Sequence, residues 1–248
     1  MKKAVKVIIG VSSVLLSLGV ATAIVVPTAI HANEYPSAPR VNKNKKHIAC
    51  IGDSITYGTG VLFRDYESYP ACLSKKVSKD FQVLNYGLSG RTAMTSGNRP
   101  YTEESFYQIS KDVEADIYII MLGTNDSKAK NWNKSGEDGE NYKEDLKNLV
   151  LSYKNLQNSP SIYLMQPPKA FPNGKSNLSV YSIDDSIIST SIYEIVKEVS
   201  QELNVGCIDL YNLTKDHPNW YMDGVHPNAS GYKAIANYIN ESINYTTN

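Results

Sequence analysis

Four short segments of the chain concentrate side chains that can move protons or hold negative charge. Gly52-Asp53-Ser54-Ile55-Thr56 puts a serine on a glycine-led turn, where its hydroxyl can face a cleft and its own N–H can point at an oxyanion. Glycine, aspartate and serine are also ordinary loop formers, so this segment carries little weight alone. Asn85-Tyr86-Gly87-Leu88-Ser89-Gly90-Arg91-Thr92 holds two glycines that let backbone donors come close to a ligand. Gly123-Thr124-Asn125-Asp126 offers a side-chain amide able to donate to a developing negative charge. In Asp223-Gly224-Val225-His226-Pro227 an aspartate stands three residues ahead of a histidine. It can reach back to one ring nitrogen, which leaves the other free to take a serine proton.

The elements around these segments must bring them together. Apolar, β-branched runs at 47–51, 81–85, 116–121, 161–166 and 205–209 read as strands. Amphipathic stretches at about 67–79, 103–113, 139–156, 183–203 and 229–243 read as helices. In the fourth, Ile183, Ile187, Ile188, Ile192, Ile195, Val196 and Val199 form an apolar stripe, with Asp184, Glu194, Lys197 and Glu198 between them. Strands alternating with helices predict an α/β domain, a parallel sheet with helices on both faces. Ligands on such sheets lie beyond the carboxyl ends of the strands. The four segments follow the first, second and third strands and, after a loop, the fifth, so individually weak signals converge on one edge.

With these motifs in place, the sequence resembles the SGNH, or GDSL-type, esterase and lipase family from about His47 to Asn240. The resemblance implies a flavodoxin-like three-layer α/β/α fold. It implies Ser54 as nucleophile, completed by Asp223 and His226. Its oxyanion hole would combine the N–H of Ser54, the N–H of Gly90 and the amide of Asn125. Ile55 stands where the family often has leucine. Ester hydrolysis through an acyl-serine then needs no metal or organic cofactor. Gly123 to Lys128, with Asn131 and Trp132, looks like the carbohydrate or sialate O-acetylesterases, which makes an O-acylated glycan or small ester the expected substrate. Lipase, lysophospholipase, aryl esterase and glycan acyltransferase are the alternatives within the family. A non-catalytic glycan-binding module is disfavoured, because a binder has no use for a serine beside its base.

Several other residues compete for a role. His217-Pro218-Asn219 repeats the His226-Pro227-Asn228 context, but its Asp216 is directly adjacent, and neighbouring side chains seldom face each other in an extended loop. His217 is therefore expected in a loop at the cleft rim, and His47 in a structural or solvated position. Asp53 and Trp132 are candidate substrate contacts, Trp132 by stacking on a sugar ring or as a loop aromatic that shields the site. Arg91 is expected at the surface. Cys50 and Cys207 read as buried strand residues, and three scattered cysteines make neither a disulfide framework nor a zinc site. There is no G-x-S-x-G elbow, H-E-x-x-H, C-x-x-C or P-loop, and Phe63 stands where a dinucleotide fingerprint after Gly58 and Gly60 needs its last glycine.

The chain of 248 residues carries 25 basic and 25 acidic groups, a balance unlike that of a nucleic-acid binder. Lys2, Lys3 and Lys6 precede an almost unbroken apolar run from Val7 to Val26, the layout of an export signal. Residues 1–32 are read as that signal or a membrane anchor, with cleavage patterns near Ala23 and Ala32, 33–46 as a polar linker and 47–248 as the hydrolase domain. The expected location is secreted or cell-surface, with membrane contact only through an uncleaved N-terminal segment. Beyond that segment 22 basic groups face 25 acidic ones, so the domain is mildly acidic. The duplicated His-Pro-Asn context yields a direct test by steady-state ester hydrolysis. His226→Ala removes nearly all kcat, whereas His217→Ala alters KM at most; a dead His217 variant would transfer the pairing to Asp216 or Asp209.

Overall fold

The computed structural model describes residues 35–132, 136–174 and 178–245. The chain divides into two units, Met1–Ser37 and Ala38–Asn248, and the architecture below is that of the second. The export segment read at 1–32 lies outside the described residues. No described helix is long and apolar enough to cross a membrane.

All five expected strands form: β1 (Lys46–Gly52), β2 (Phe81–Gly87), β3 (Ile117–Met121), β4 (Ser161–Gln166) and β5 (Gly206–Asp209). They make one parallel sheet in the order β2-β1-β3-β4-β5. β3 is central, and every one of its residues is buried, because the sheet is covered on both faces and neither side of the strand needs to be polar.

The helices are α1 (Ser54–Tyr57), α2 (Arg64–Glu67), α3 (Tyr69–Ser74), α4 (Ser105–Asp112), α5 (Asp138–Lys154), α6 (Asp185–Ile187), α7 (Tyr193–Glu202), α8 (Leu210–Thr214) and α9 (Ala229–Ser242). Ala49, Ile51, Tyr118 and Ile120 point into one core, shared with Phe106 of α4, Leu146 and Val150 of α5 and Val196 of α7. Ile48, Cys50, Ile117 and Ile119 point into the other, shared with Tyr69 and Leu73 of α3 and Tyr232, Ile235 and Ile239 of α9. This alternation along each strand produces the three layers expected from the sequence. A π-helical turn over Ile188–Ile192 joins α6 to α7. Ile188, Ile192 and Val196, spaced four apart on one side, are all buried.

The short helices α1, α2 and α8 escaped the sequence reading, since four or five residues are too few to show a helical period. Of these, α1 and α8 start at a strand end on an aspartate cap: Asp53 accepts from the Ile55 N–H, and Asp209 from the Asn212 N–H. The stretch read as one helix at 67–79 holds only the shorter α3, which Ser68 caps, with α2 ending at Glu67 just before it. Before β1, the Asn42 N–H donates to Gln82 Oε1, and Gln82 Nε2 donates to the Arg40 carbonyl. His47 is structural: it is buried, with Nε2 3.0 Å from the Asn42 carbonyl.

Two expectations about burial fail. Cys50 is buried, and desolvation pushes its thiol up to about 12, but Cys207 is exposed. β5 is an edge strand, and Cys207 faces an open groove between it and Tyr193, Lys197 and Ser200 of α7. Arg91 is wholly buried rather than at the surface. The turn after β2 folds inward, so Arg91 Nη1 donates to the Ser89 carbonyl at 2.7 Å while Nε and Nη2 hold Glu104 Oε1 at 2.9 and 2.7 Å. This fork fastens the Gly90 loop to the start of α4. Arg91→Met leaves a carboxylate that is only 21% exposed without its cation, and urea unfolding should show a loss of about 3 kcal/mol. Lys143→Met, which opens a solvent-screened cluster with Glu198 and Glu202, should move the midpoint far less.

Candidate active site

The four segments meet at the carboxyl edge of the sheet. Ser54 is the first residue of α1, directly after β1, and is buried apart from a small opening. His226 lies just before α9, whose N-terminus is capped by Asn228 accepting from the Ser230 and Gly231 N–H groups. His226 Nε2 is 2.9 Å from Ser54 Oγ, and its Nδ1 is 2.7 Å from Asp223 Oδ2. Asp223 Oδ1 accepts from the Val225 and His226 N–H groups at 2.9 and 2.8 Å. Burial by itself would raise the Asp223 carboxyl, but the imidazole and these two N–H donors outweigh it and hold the group at about 2. A permanently ionised Asp223 keeps the proton on Nδ1 and leaves Nε2 able to accept one from Ser54. His217 stays outside this chain of bonds, stacked flat on Trp220 with ring centroids 3.9 Å apart.

Three candidate donors stand on Ser54 and the two loops beside it. Neither the Ser54 N–H nor the Gly90 N–H has an acceptor among the described residues. Gly90 has a φ of 84°, a left-handed turn that a side chain would strain. The Asn125 amide makes two long bonds, 3.3 Å to Asp53 Oδ2 and 3.2 Å to the Arg91 carbonyl. An amide donor held this loosely can be shared with a third acceptor.

Asp53 and Trp132, the candidate substrate contacts, are both buried. Asp53 is fully buried: it caps α1 through the Ile55 N–H at 2.9 Å and accepts from Asn125, so it orients that amide from behind. Desolvation pushes its carboxyl up to about 6. Trp132 turns into the core beside Tyr142, with ring centroids 6.1 Å apart.

Other residues carry weight that the sequence reading did not assign. Asp126 accepts from the Ala93 and Met94 N–H groups at 3.1 and 2.8 Å, clamping the Asn125 loop to the Gly90 loop. Its burial pushes it up to about 7. Asn131 Nδ2 donates to Asn98 Oδ1 and to the Asn125 carbonyl, a second tie between those loops. Both residues stood in quoted motifs, yet only spatial contact shows what they hold. Tyr181 meets the His226 ring edge-on at 5.1 Å and belongs to no motif. Among the described residues no cluster of three or more His, Cys, Asp or Glu could hold a metal ion.

Gly60 supports the imidazole from the side. A Cβ there would stand 2.7 Å from the Pro227 carbonyl and 3.0 Å from His226 Cβ, and its φ is +102°. A fluorophosphonate probe read by mass spectrometry should label Ser54. Gly60→Ala should slow that labelling by about 10²-fold, because displacing the imidazole by even ~1 Å misaligns proton transfer. Equal labelling rates would show that the approach of Gly60 to His226 does not set its position.

The geometry can be set beside known proteins. The chain is 31% identical over 229 residues to an acetylxylan esterase of Xylanibacter ruminicola, covering 85% of this chain and 46% of that one. It spans less than half the length of the curated relatives it matches. Among solved structures, a carbohydrate acetylesterase family member from Sinorhizobium meliloti superposes with a TM-score of 0.62 at 23% identity, over 79% of this chain and 96% of that one. An acetylxylan esterase from Geobacillus stearothermophilus gives 0.60 at 22% identity, over 82% and 97%. These likenesses show the fold. Residues 50–234, which run from β1 into α9, match the GDSL-like Lipase/Acylhydrolase family, and the chain belongs to it.

Proposed function

We propose that this chain is an exported serine esterase that removes acyl groups, acetyl above all, from a glycan. The observation that carries the reading is the unbroken run of short contacts from Ser54 Oγ through His226 to Asp223. In the reaction His226 Nε2 takes the Ser54 proton as Oγ bonds to the ester carbonyl carbon. The carbonyl oxygen gains the negative charge and is received by the N–H groups of Ser54 and Gly90 and by the Asn125 amide, which turns from one of its long bonds. Asp223 balances the imidazolium through Nδ1. The C–O bond to the alcohol then breaks, and the alcohol leaves with the proton from His226. Water repeats the sequence on the acyl-serine, with His226 again as base, and releases the acid.

Export is supported by Lys2, Lys3 and Lys6 ahead of the apolar run from Val7 to Val26. The acetyl-glycan assignment is supported by the relative named as an acetylxylan esterase. The test is a panel of acetylated sugars, acetylated xylan, p-nitrophenyl esters of rising chain length and lysophospholipids. Acetyl esters should turn over fastest, and Ser54→Ala should abolish turnover without unfolding the domain. Asn125→Ala should lower kcat by about 10²–10³ with KM little changed, since the charge it serves exists fully only in the transition state. A Ser54→Ala enzyme with near wild-type turnover would refute the mechanism.

A further inference from the structure

The charge around Ser54 is unlike that of the domain as a whole. Beyond the N-terminal segment the chain has more acidic than basic groups, yet the loops beside the site carry Arg99, Lys128 and Lys130. Lys128 follows Asn125 by three residues and is half-buried, and its ammonium has no hydrogen bond or ion pair among the described residues. With Lys130, Tyr181 and Ser182 it lines a cavity of about 370 Å³. Tyr181 is also the residue whose ring meets the His226 imidazole, so one wall of the cavity is in contact with that imidazole. Arg99 approaches from the loop after β2: its Cδ and Nη1 lie 3.8 Å from where a Gly90 Cβ would stand, beside a candidate oxyanion donor.

These cations sit close enough to feel one another. Burial, reinforced by Lys130 and Arg99, pulls the Lys128 ammonium below its ordinary range. The carboxyls that oppose this, Asp53 and Asp126, lie buried and already accept from Ile55, Asn125, Ala93 and Met94. A solvated basic face would hold its lysines apart in water, where repulsion is screened. Here one is drawn partly out of water at the edge of a cavity, and an incoming anion would relieve both its repulsion and its lost hydration.

We propose that Lys128, with Lys130 and Arg99 around it, forms an anion subsite beside Ser54, and that the preferred ester is borne by an acidic glycan with a carboxylate on or next to the acylated sugar. This rests on the esterase reading above. Lys128 ion-pairs with the carboxylate while the acyl carbonyl lies at Ser54, and Tyr181 packs on the sugar between them.

The test compares kcat/KM of the full-length chain on O-acetylated galacturonic acid oligomers and on acetylated xylo-oligosaccharides, at low salt and at about 0.5 M salt. At low salt the acidic substrate should be favoured by about tenfold, as expected for one charge-assisted contact, and high salt should shrink the preference. Lys128→Met should remove most of that ratio, Lys128→Arg should retain it, and Lys130→Gln should weaken it in part. Turnover of the neutral ester with a ratio that ignores both salt and Lys128→Met would overturn the subsite and leave the esterase reading standing. No turnover of either substrate, together with no probe labelling at Ser54, would overturn both.

Discussion

The imidazole of His226 joins the start of the domain to its end, meeting Ser54 across 172 residues of chain. Ser54 is placed by the end of β1 and His226 by the entry to α9, and these belong to different parts of the architecture. Their meeting depends on β1 lying between β2 and β3 and on α9 packing across the β1 face of the sheet. The lateral contacts serve the same end. Tyr232 of α9 donates to the Thr59 carbonyl at 2.6 Å, drawing the loop after α1 against the helix, and Gly60 allows that loop to reach His226. Asn228 Nδ2 donates to the Asn219 carbonyl while its other end caps α9, so the segment bearing His226 is tied down on both sides.

Beneath this surface lie two carboxyls that burial disfavours. Asp53 and Asp126 are raised to about 6 and about 7, chiefly by desolvation. A carboxyl whose folded value lies above its unfolded one binds more protons when folded. Between its ordinary value of 3.8 and the raised one, rising pH therefore subtracts from stability. What each does with its oxygens gives a physical reason for its presence. Asp126 takes two backbone N–H groups from the loop after β2, and Asp53 takes the first turn of α1 and the Asn125 amide. Loops joined this way hold their donors at fixed positions before any charge develops, which is what electrostatic preorganisation requires. Arg91 adds a third tie, between the Gly90 loop and α4.

Much of this was legible in the sequence because the relevant patterns are local. Apolar runs of strand length alternated with amphipathic stretches, and the reactive residue types fell just past strand ends. An aspartate three residues before a histidine can reach its ring within one loop, whatever the rest of the fold does. Arg91 and Cys207, whose burial differs from expectation, have the opposite character. Residue type says how often a side chain is buried but not whether a given one is. Arg91 is buried because Glu104 and the Ser89 carbonyl satisfy its guanidinium. Trp132 lies inside because Tyr142 offers it a partner. Cys207 is open because the sheet ends at β5. Glu104 stands 13 residues from Arg91, and the position of β5 in the sheet is set by the strand order, so neither shows in a short motif.

The sequence by itself therefore determined the alternating α/β architecture, the strand-end location of the reactive residues and the Asp223–His226 pairing. Periodicity and short loop spans obey steric rules that need no partner. The tertiary structure alone decided that His226 faces Ser54 while His217 stacks on Trp220, although both histidines share the same local sequence. It also decided that Asp53 supports Asn125 and that Lys128 borders a cavity beside the site. Those outcomes turn on which loops the strand order brings together, and the pairing of strands is a global choice that no short stretch of chain encodes.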